Sequence, residues 1–197
     1  IPNSFKGIDN KNISLFLGPD FHQVIYPVTQ NGDYNFIAIM KYELSINEQK
    51  NYSLFNNNDF VEKIFESIPK ESKKFFDEVK QFKIFPVFVS DDYFKIKSNK
   101  IHLIGDAFFA FPPSFAQGAS QSIEGAYELF ESIESNTESN FFKNRVNKIK
   151  MVNNRSKINQ FAFHLSNPLT KFLRNFFLKR LTKNKKFLES YLGKIYR

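Results

Sequence analysis

Short apolar runs rich in β-branched and aromatic residues, separated by turn-forming polar residues, occupy the first part of the chain, and this pattern is typical of β-strands. Three such runs lie at residues 13–17, 22–28 and 34–40. Residues 18–20 form a Gly-Pro-Asp turn signal, and residues 30–33 contain an Asn-Gly pair, which favours a hairpin because both residues tolerate a positive φ. The pattern predicts an antiparallel sheet of three strands connected in sequence order.

A polar stretch at residues 51–59 predicts a loop after the third strand. Asp59 has the spacing of a capping residue and predicts a helix that ends near residue 67. Pro69 favours the start of a second helix that ends near residue 79. We therefore expect short helices beside the sheet.

The second half of the chain is predicted to be mostly helical. A short apolar strand is expected at residues 100–104, and a long helix is expected after Gln117. Further helix is predicted over residues 139–195, with interruptions near residue 167 and at Asn184. The apolar residues of the helix after Gln117 recur at intervals of four and three, which predicts one buried stripe. That stripe consists of Ala119, Ile123, Ala126, Phe130 and Ile133.

Composition narrows the classes of function. The chain has 197 residues and a formal net charge of +8. A net positive charge of this size makes nucleic acid a candidate partner, because its phosphates are negatively charged. We expect no nucleic-acid binding, because the aromatic side chains lie mostly among apolar residues rather than between basic ones. Cysteine is absent, which excludes disulfides, thiolate metal sites and a cysteine nucleophile. His22, His102 and His164 are far apart in sequence, so we expect no metal site and no histidine base.

A carboxylate and the start of a helix lie close together in the second half of the sequence. Asp106 follows Gly105 at the end of the predicted strand, and Gly118 opens the long helix after a proline-containing loop. A carboxylate accepts hydrogen bonds from hydroxyl groups, and the N-terminus of a helix attracts partial negative charge. A flavin matches both features, through its ribityl hydroxyls and its electron-rich pyrimidine ring.

Residues 105–126 have the sequence Gly-Asp-Ala-Phe-Phe-Ala-Phe-Pro-Pro-Ser-Phe-Ala-Gln-Gly-Ala-Ser-Gln-Ser-Ile-Glu-Gly-Ala. This run resembles the second flavin-binding motif of the single-component FAD-dependent aromatic hydroxylases, a family that includes 4-hydroxybenzoate, salicylate and ubiquinone-pathway hydroxylases. Two positions depart from the family pattern, because Phe109 stands where the family has His and Gly125 stands where it has Asp.

The resemblance implies a cofactor-binding role for six residues of this motif. Asp106 would bind the ribityl chain, Pro113 would lie beside the isoalloxazine ring, and the amides of Gly118 and Ala119 would face the pyrimidine edge. The other two residues of the motif are Gly105 and Gln117.

The family also implies an activity, that of an FAD-dependent monooxygenase that uses NAD(P)H and O₂ on an aromatic or quinone-like substrate. No side chain of this chain would then act as a catalytic acid or base. In the family the antiparallel sheet covers the substrate, so Tyr26 and Phe36 are candidates to line the substrate pocket. Two alternatives stay open: a related FAD-dependent reductase or halogenase, and a non-enzymatic membrane-surface or scaffold protein that retains the fold.

The expected architecture is α+β, the C-terminal part of a two-domain FAD- and NAD(P)-binding hydroxylase fold. Residues 1–90 would form the substrate-side sheet with helices, residues 91–135 the second FAD-binding motif, and residues 136–197 a C-terminal helical region. A Gly-x-Gly-x-x-Gly fingerprint does not occur in the sequence. We therefore expect an N-terminal dinucleotide-binding half outside this sequence, in the same longer chain or in a separate subunit.

Residues 171–188 are basic and amphipathic. The interpretation that we favour is a C-terminal helix docked by its Phe and Leu side chains, with the Lys side chains in solvent. The alternative is contact with an anionic membrane through this segment. No run of eighteen apolar residues occurs, so no membrane-spanning helix is predicted. We expect a cytoplasmic location, with peripheral contact on the inner membrane face as the alternative.

Overall fold

The fold is α+β, as predicted. The structure, a computed structural model, describes residues 8, 11–29, 33–68, 70–73, 76, 83–93, 96 and 101–195. The chain divides into two compact units. One comprises Ile1–Pro86 and Phe163–Leu173, and the other comprises Val87–Ala162 and Arg174–Arg197. The division into three segments at residues 90 and 135 stays a prediction.

The first unit contains a three-stranded antiparallel sheet formed by β1 (Ser14–Gly18), β2 (Phe21–Pro27) and β3 (Tyr34–Met40). The strands are ordered β1-β2-β3 and pair antiparallel, which confirms the sheet predicted from the three apolar runs and their turns. Asp20 adopts a φ of 52° in the turn between β1 and β2. The Asn-Gly pair of the second turn lies outside the described residues.

One face of this sheet carries an aromatic core. Phe21 and Ile25 are buried, and Phe36 of β3 lies directly opposite Ile25 of β2. The ring of Phe76 packs against both aromatic residues, with its centroid 5.0 Å from that of Phe36 and 6.2 Å from that of Phe21. The sheet is therefore stabilised on this side by one edge-on and one tilted aromatic contact, which add to the free energy of apolar burial.

Short helices follow the sheet, at α1 (Ile46–Lys50), α2 (Asn58–Glu66) and α3 (Lys70–Lys73). The loop predicted at residues 51–59 is wrong in part, because Tyr52–Asn56 forms a 3₁₀-helix. The predicted cap at Asp59 is also wrong. The side chain of Asn57 accepts the hydrogen bond from the backbone N–H of Phe60, so α2 begins earlier. Pro69 lies outside the described residues.

Long helices dominate the rest of the chain, at α4 (Gly118–Glu134), α5 (Glu138–Phe163), α6 (Pro168–Leu181) and α7 (Lys185–Tyr191). The predicted interruptions near residue 167 and at Asn184 are confirmed, and Asn184 caps α7 through the N–H of Phe187. No helix among the described residues is long and apolar enough to span a membrane.

The core of the second unit forms where α5 meets the segment before α4. Phe108 and Phe109 are buried there against Val146 and Ile149 of α5. Partly buried apolar side chains surround this cluster: Tyr93, Leu103, Phe111 and Phe142. The packing fixes the segment that leads from residue 105 to α4.

The strand predicted at residues 100–104 is not observed. Residue 100 lies outside the described part of the chain, and residues 101–104 have no regular secondary structure. Ile104 is nevertheless extended, with φ −133° and ψ 165°. A strand requires a hydrogen-bonded neighbour, and no described residue pairs with this segment.

The buried stripe predicted for α4 is also wrong. Its residues are exposed, and Ile123, Phe130 and Ile133 have between 47 % and 73 % of their surface accessible. The opposite, more polar face is buried instead, at Gln121, Gly125 and Ser132. That face contacts the guanidinium group of Arg145 on α5, which is itself buried. A buried cation needs acceptors, so the polar face of α4 turns inward.

The favoured interpretation of residues 171–188 is wrong for α6. Phe172, Leu173, Phe176 and Phe177 are exposed, so they do not dock the helix. Arg174, on the other side of the helix, is buried.

Candidate functional site

The candidate site begins at a 3₁₀-helix, Gly105–Ala107, that precedes the aromatic core. Gly105 has a φ of +58°, a conformation that L side chains rarely adopt. A Cβ atom added at Gly105 would lie 2.7 Å from Oγ of Ser122 on α4. That hydroxyl donates a hydrogen bond to the carbonyl of Gly118 at 2.8 Å, and a Cβ atom at position 105 would disturb this bond. Glycine at position 105 therefore allows the segment to approach α4 closely.

This close approach brings Asp106 to the first turn of α4. A Cβ atom added at Gly118 would lie 4.0 Å from Oδ1 of Asp106. The carboxylate is exposed, and no described residue forms a hydrogen bond or ion pair with it. Gln117 precedes the helix without capping it through its side chain. The juxtaposition predicted from the sequence, a carboxylate beside a helix start, is thus present.

The loop between these two features is held by contacts with α5. Ser114 is buried, and its hydroxyl donates a hydrogen bond to the carbonyl of Ser156 at 2.6 Å. Nδ2 of Asn159 donates to the carbonyl of Ser114 at 3.4 Å. Pro113, the first residue of the 3₁₀-helix Pro113–Phe115, is exposed. The loop therefore presents Pro113 to solvent from a fixed backbone.

Ala119 and Gln117, the other two predicted cofactor-binding residues, differ in their exposure to solvent. Ala119 is exposed on the first turn of α4. Gln117 is buried, and its side-chain oxygen accepts a hydrogen bond from Nε2 of Gln121 at 3.5 Å. The side chain of Gln117 thus belongs to the buried face of α4, whereas Asp106, Pro113 and Ala119 are exposed.

An ionic network beneath α4 holds the helix in place. The guanidinium of Arg145 donates to both the backbone carbonyl and the side-chain oxygen of Gln121. Its Nη1 lies 3.3 Å from the carboxylate of Glu128 and 3.8 Å from that of Glu124. Nζ of Lys148 lies 2.6 Å from Glu124. These contacts satisfy the buried charge and orient the helix whose first turn faces Asp106.

The two departures from the hydroxylase pattern both have a packing explanation. Phe109 is buried in the apolar core of the second unit. Gly125 makes room for Arg145, because a Cβ atom at this position would lie 3.1 Å from Nε of Arg145. Neither residue is exposed at the surface that carries Asp106.

Tyr26 and Phe36, the predicted substrate-lining residues, project from opposite faces of the sheet. Phe36 is paired with Ile25, the residue before Tyr26, and successive residues of a strand alternate between faces. The hydroxyl of Tyr26 accepts a hydrogen bond from Nδ2 of Asn35 at 2.6 Å. The two side chains therefore do not line one common surface, and their role in substrate binding stays a prediction.

An open cavity of about 390 Å³ lies in the first unit. Its described lining consists of Glu62, Phe65, Glu66, Lys73 and Phe76. The ring of Phe76 also packs on Phe36, which is not itself among the described lining residues. The lining carries no residue that the sequence predicts to bind a cofactor.

A histidine pair is the contact that sequence reasoning missed. Nδ1 of His22 lies 2.7 Å from Nε2 of His164, although 142 residues separate them. Burial, followed by the charge of His164, lowers the pKa of His22 to about 4. Burial also lowers the pKa of His164, as does Lys41, whereas Asp20 raises it. A separation of this length leaves no local signal in the sequence.

Among the described residues, no group of three or more His, Cys, Asp or Glu side chains is arranged to hold a metal ion. The imidazoles of His22 and His164 form a hydrogen bond with each other instead. The ring of Phe163 packs edge-on against His22, with a centroid distance of 5.3 Å.

The residues around Asp106 offer two of the groups that a flavin would require. The ribityl hydroxyls would need an acceptor, which the exposed carboxylate of Asp106 could supply, and the pyrimidine edge would need N–H donors, which the first turn of α4 could supply because Gln117 makes no side-chain cap there. The space over Gly118 is open, because a Cβ atom there would approach nothing closer than 4.0 Å.

Comparison with protein-family models finds no matching family, and comparison with curated proteins finds no significant relative.

Proposed function

We propose that this protein is part of an FAD-dependent monooxygenase that uses NAD(P)H and O₂ to hydroxylate an aromatic or quinone-like substrate. The observation that carries the proposal is the position of Asp106 beside the uncapped N-terminus of α4. We propose FAD as the ligand because the sequence of residues 105–126 resembles the second flavin motif of the aromatic hydroxylases.

Each exposed residue of the site has a role in this proposal. Asp106 would accept hydrogen bonds from the ribityl hydroxyls, and the N–H groups of Gly118 and Ala119 would donate to the pyrimidine edge. The dipole of α4 would stabilise partial negative charge at that edge. Pro113 would lie beside the ring, on a loop that Ser114 anchors to α5.

The bound FAD supplies the redox chemistry. The residues of this chain would bind and orient the cofactor, and none of them would act as an acid or a base. Gly105 allows the segment that carries Asp106 to approach α4 closely, and the hydrogen bonds of the buried Arg145 fix the position of α4.

The exposed face of α4 supports the expected N-terminal dinucleotide-binding half. Ile123, Tyr127, Phe130 and Ile133 form an apolar stripe on this helix, and each is at least 47 % exposed. Contiguous apolar surface of this kind is typical of an interface. We propose that the dinucleotide-binding half covers this stripe and holds the ADP portion of FAD, whether it is encoded in the same longer chain or as a separate subunit.

Flavin content tests the proposal. The protein, purified from its own cells with an affinity tag and with whatever remains bound to it, should release FAD on denaturation and should oxidise NAD(P)H faster when an aromatic or quinone-like substrate is added. The chain of 197 residues alone should bind FAD weakly and should not oxidise NAD(P)H. Addition of the dinucleotide-binding half should restore both properties.

A triple variant on the α4 stripe separates the two parts of the proposal. Ile123→Ser, Tyr127→Ser and Phe130→Ser combined should abolish association with the dinucleotide-binding half while α4 remains folded. A purified native complex without flavin would contradict the proposed function. A native protein that carries FAD without any second half would contradict the proposed partner.

A further inference from the structure

The outer face of α6 is more apolar than its inner face. Five large side chains lie on one side of the helix and are between 43 % and 67 % exposed: Leu169, Phe172, Leu173, Phe176 and Phe177. They recur at intervals of three, one, three and one, which places them in a single stripe. The buried residue of the helix is Arg174, and Nη1 of its guanidinium donates to the carbonyl of Ala162 at 3.4 Å. This is the reverse of a helix that docks through its apolar face.

Positive charge adjoins this apolar stripe. Residues 168–188 contain no Asp or Glu. Lys179 and Arg180 lie exposed in the last turn of α6, and Lys183, Lys185 and Lys186 lie exposed in the segment after it. The apolar stripe therefore ends in a cluster of five exposed cations.

We propose that α6 and the basic segment after it bind the surface of an anionic lipid bilayer. Phe and Leu side chains enter the interfacial region, and the Lys and Arg side chains contact the anionic headgroups, which is the arrangement of an interfacial amphipathic helix. The inference stands on this helix alone and does not rest on the proposed flavin chemistry.

Charge favours a bilayer over a second copy of the chain. A second copy of the chain carries the same formal net charge of +8, and like charges oppose association. An anionic bilayer attracts the same cations. The helix would lie on the bilayer and not cross it, since α6 has only 14 residues and includes several charges.

Sedimentation with vesicles tests the proposal. The folded chain should sediment with vesicles that contain phosphatidylcholine and phosphatidylglycerol, and much less with vesicles of phosphatidylcholine alone. Added salt should release it, because the headgroup attraction is screened. Phe172→Ser combined with Phe176→Ser should weaken partitioning roughly tenfold or more, because two interfacial anchors are lost.

Matched variants on α5 control for the loss of exposed apolar surface and of charge. Ile158→Ser combined with Phe161→Ser removes two side chains that are at least 59 % exposed, and it should leave partitioning unchanged.

Reversal of charge tests the basic segment. Lys183→Glu combined with Lys186→Glu should abolish the preference for anionic vesicles, whereas Lys150→Glu combined with Lys157→Glu on α5 should reduce that preference far less. Circular dichroism and thermal melting verify that each variant is folded.

Three results would overturn the proposal. One is failure of the folded chain to sediment with anionic vesicles. Another is an equal loss of partitioning in the α5 control variants. The third is a dimer or a stable complex with an acidic protein that depends on Phe172 and Phe176 while vesicle binding is absent, which would assign this face to a protein partner.

Discussion

Gly125 of α4 lies against the buried guanidinium of Arg145, and a Cβ atom added at Gly125 would lie 3.1 Å from Nε of that arginine. The contact explains how a helix with a conspicuous apolar stripe turns its polar face inward. Arg145 needs acceptors at Gln121 and Glu128, and it reaches them only if α4 approaches α5 closely. Glycine at the point of contact permits this approach.

A larger side chain at position 125 should therefore destabilise the fold. We expect Gly125→Val to lower the free energy of unfolding by about 1–3 kcal/mol, because the added carbons press on a guanidinium that is held by several hydrogen bonds. Ala126→Val, on the exposed side of the same helix, is the control and should change stability by less than about 1 kcal/mol. Urea titration of both variants measures the difference, and equal stabilities would show that α4 does not pack as described.

The two glycines of the candidate site should respond differently to the same substitution. Gly105→Ala should destabilise the protein by about 1–2 kcal/mol from the positive φ alone, with a further cost from the contact with Ser122. Gly118→Ala has open space around the new Cβ and should leave the melting temperature nearly unchanged.

Gly118→Val extends this comparison to ligand binding. The branched side chain should block close approach of the flavin ring, so FAD binding and activity should fall while thermal stability stays normal. A flavin content equal to that of the wild type would mean that the start of α4 faces a different ligand.

The histidine pair should make stability depend on pH. The pKa of His22 is lowered from its ordinary value of 6.5 to about 4 in the folded state, so the unfolded chain binds more protons between these pH values. Stability should therefore fall as the pH decreases from 6.5 to about 4, by about 3–4 kcal/mol at most from His22. His164 should add to the effect in the same direction, and Asp20 and Lys41 modulate it.

His22→Gln should flatten this part of the pH profile, since glutamine does not titrate. His102→Gln replaces an exposed histidine and serves as the matched control, with a profile like that of the wild type. Urea unfolding at several pH values between 4 and 7 measures the slope for each variant. A wild-type slope that survives in His22→Gln would assign the pH dependence to other groups.

The elements with a local signal could be predicted from the sequence. The strands β1, β2 and β3 follow from short β-rich runs and the turn residues between them, and the starts of α4 and α7 follow from Gly118 and Asn184. The proximity of Asp106 and Gly118 also follows from local sequence, since only eleven residues separate them.

The orientation of α4 could not be predicted, because it depends on a partner on another helix. Periodicity identifies an apolar stripe but does not reveal whether this chain covers it, and the acceptor requirement of Arg145 decides the outcome. The strand prediction at residues 100–104 is wrong for a related reason, since a strand needs a hydrogen-bonded neighbouring strand and no described residue supplies one. The pairing of His22 with His164 depends on tertiary contact alone.

The affinity of the purified holoenzyme for FAD, compared between wild type and Asp106→Ala, tests the flavin site most directly. Loss of charge-assisted hydrogen bonds should weaken FAD binding roughly tenfold to a hundredfold while the fold is retained. Asp59→Ala removes an exposed carboxylate from the first turn of α2 and should leave the affinity unchanged. Fluorescence titration of the deflavinated protein gives the three dissociation constants. An Asp106→Ala value equal to that of the wild type would contradict the assignment of Asp106 and the helix start to flavin binding.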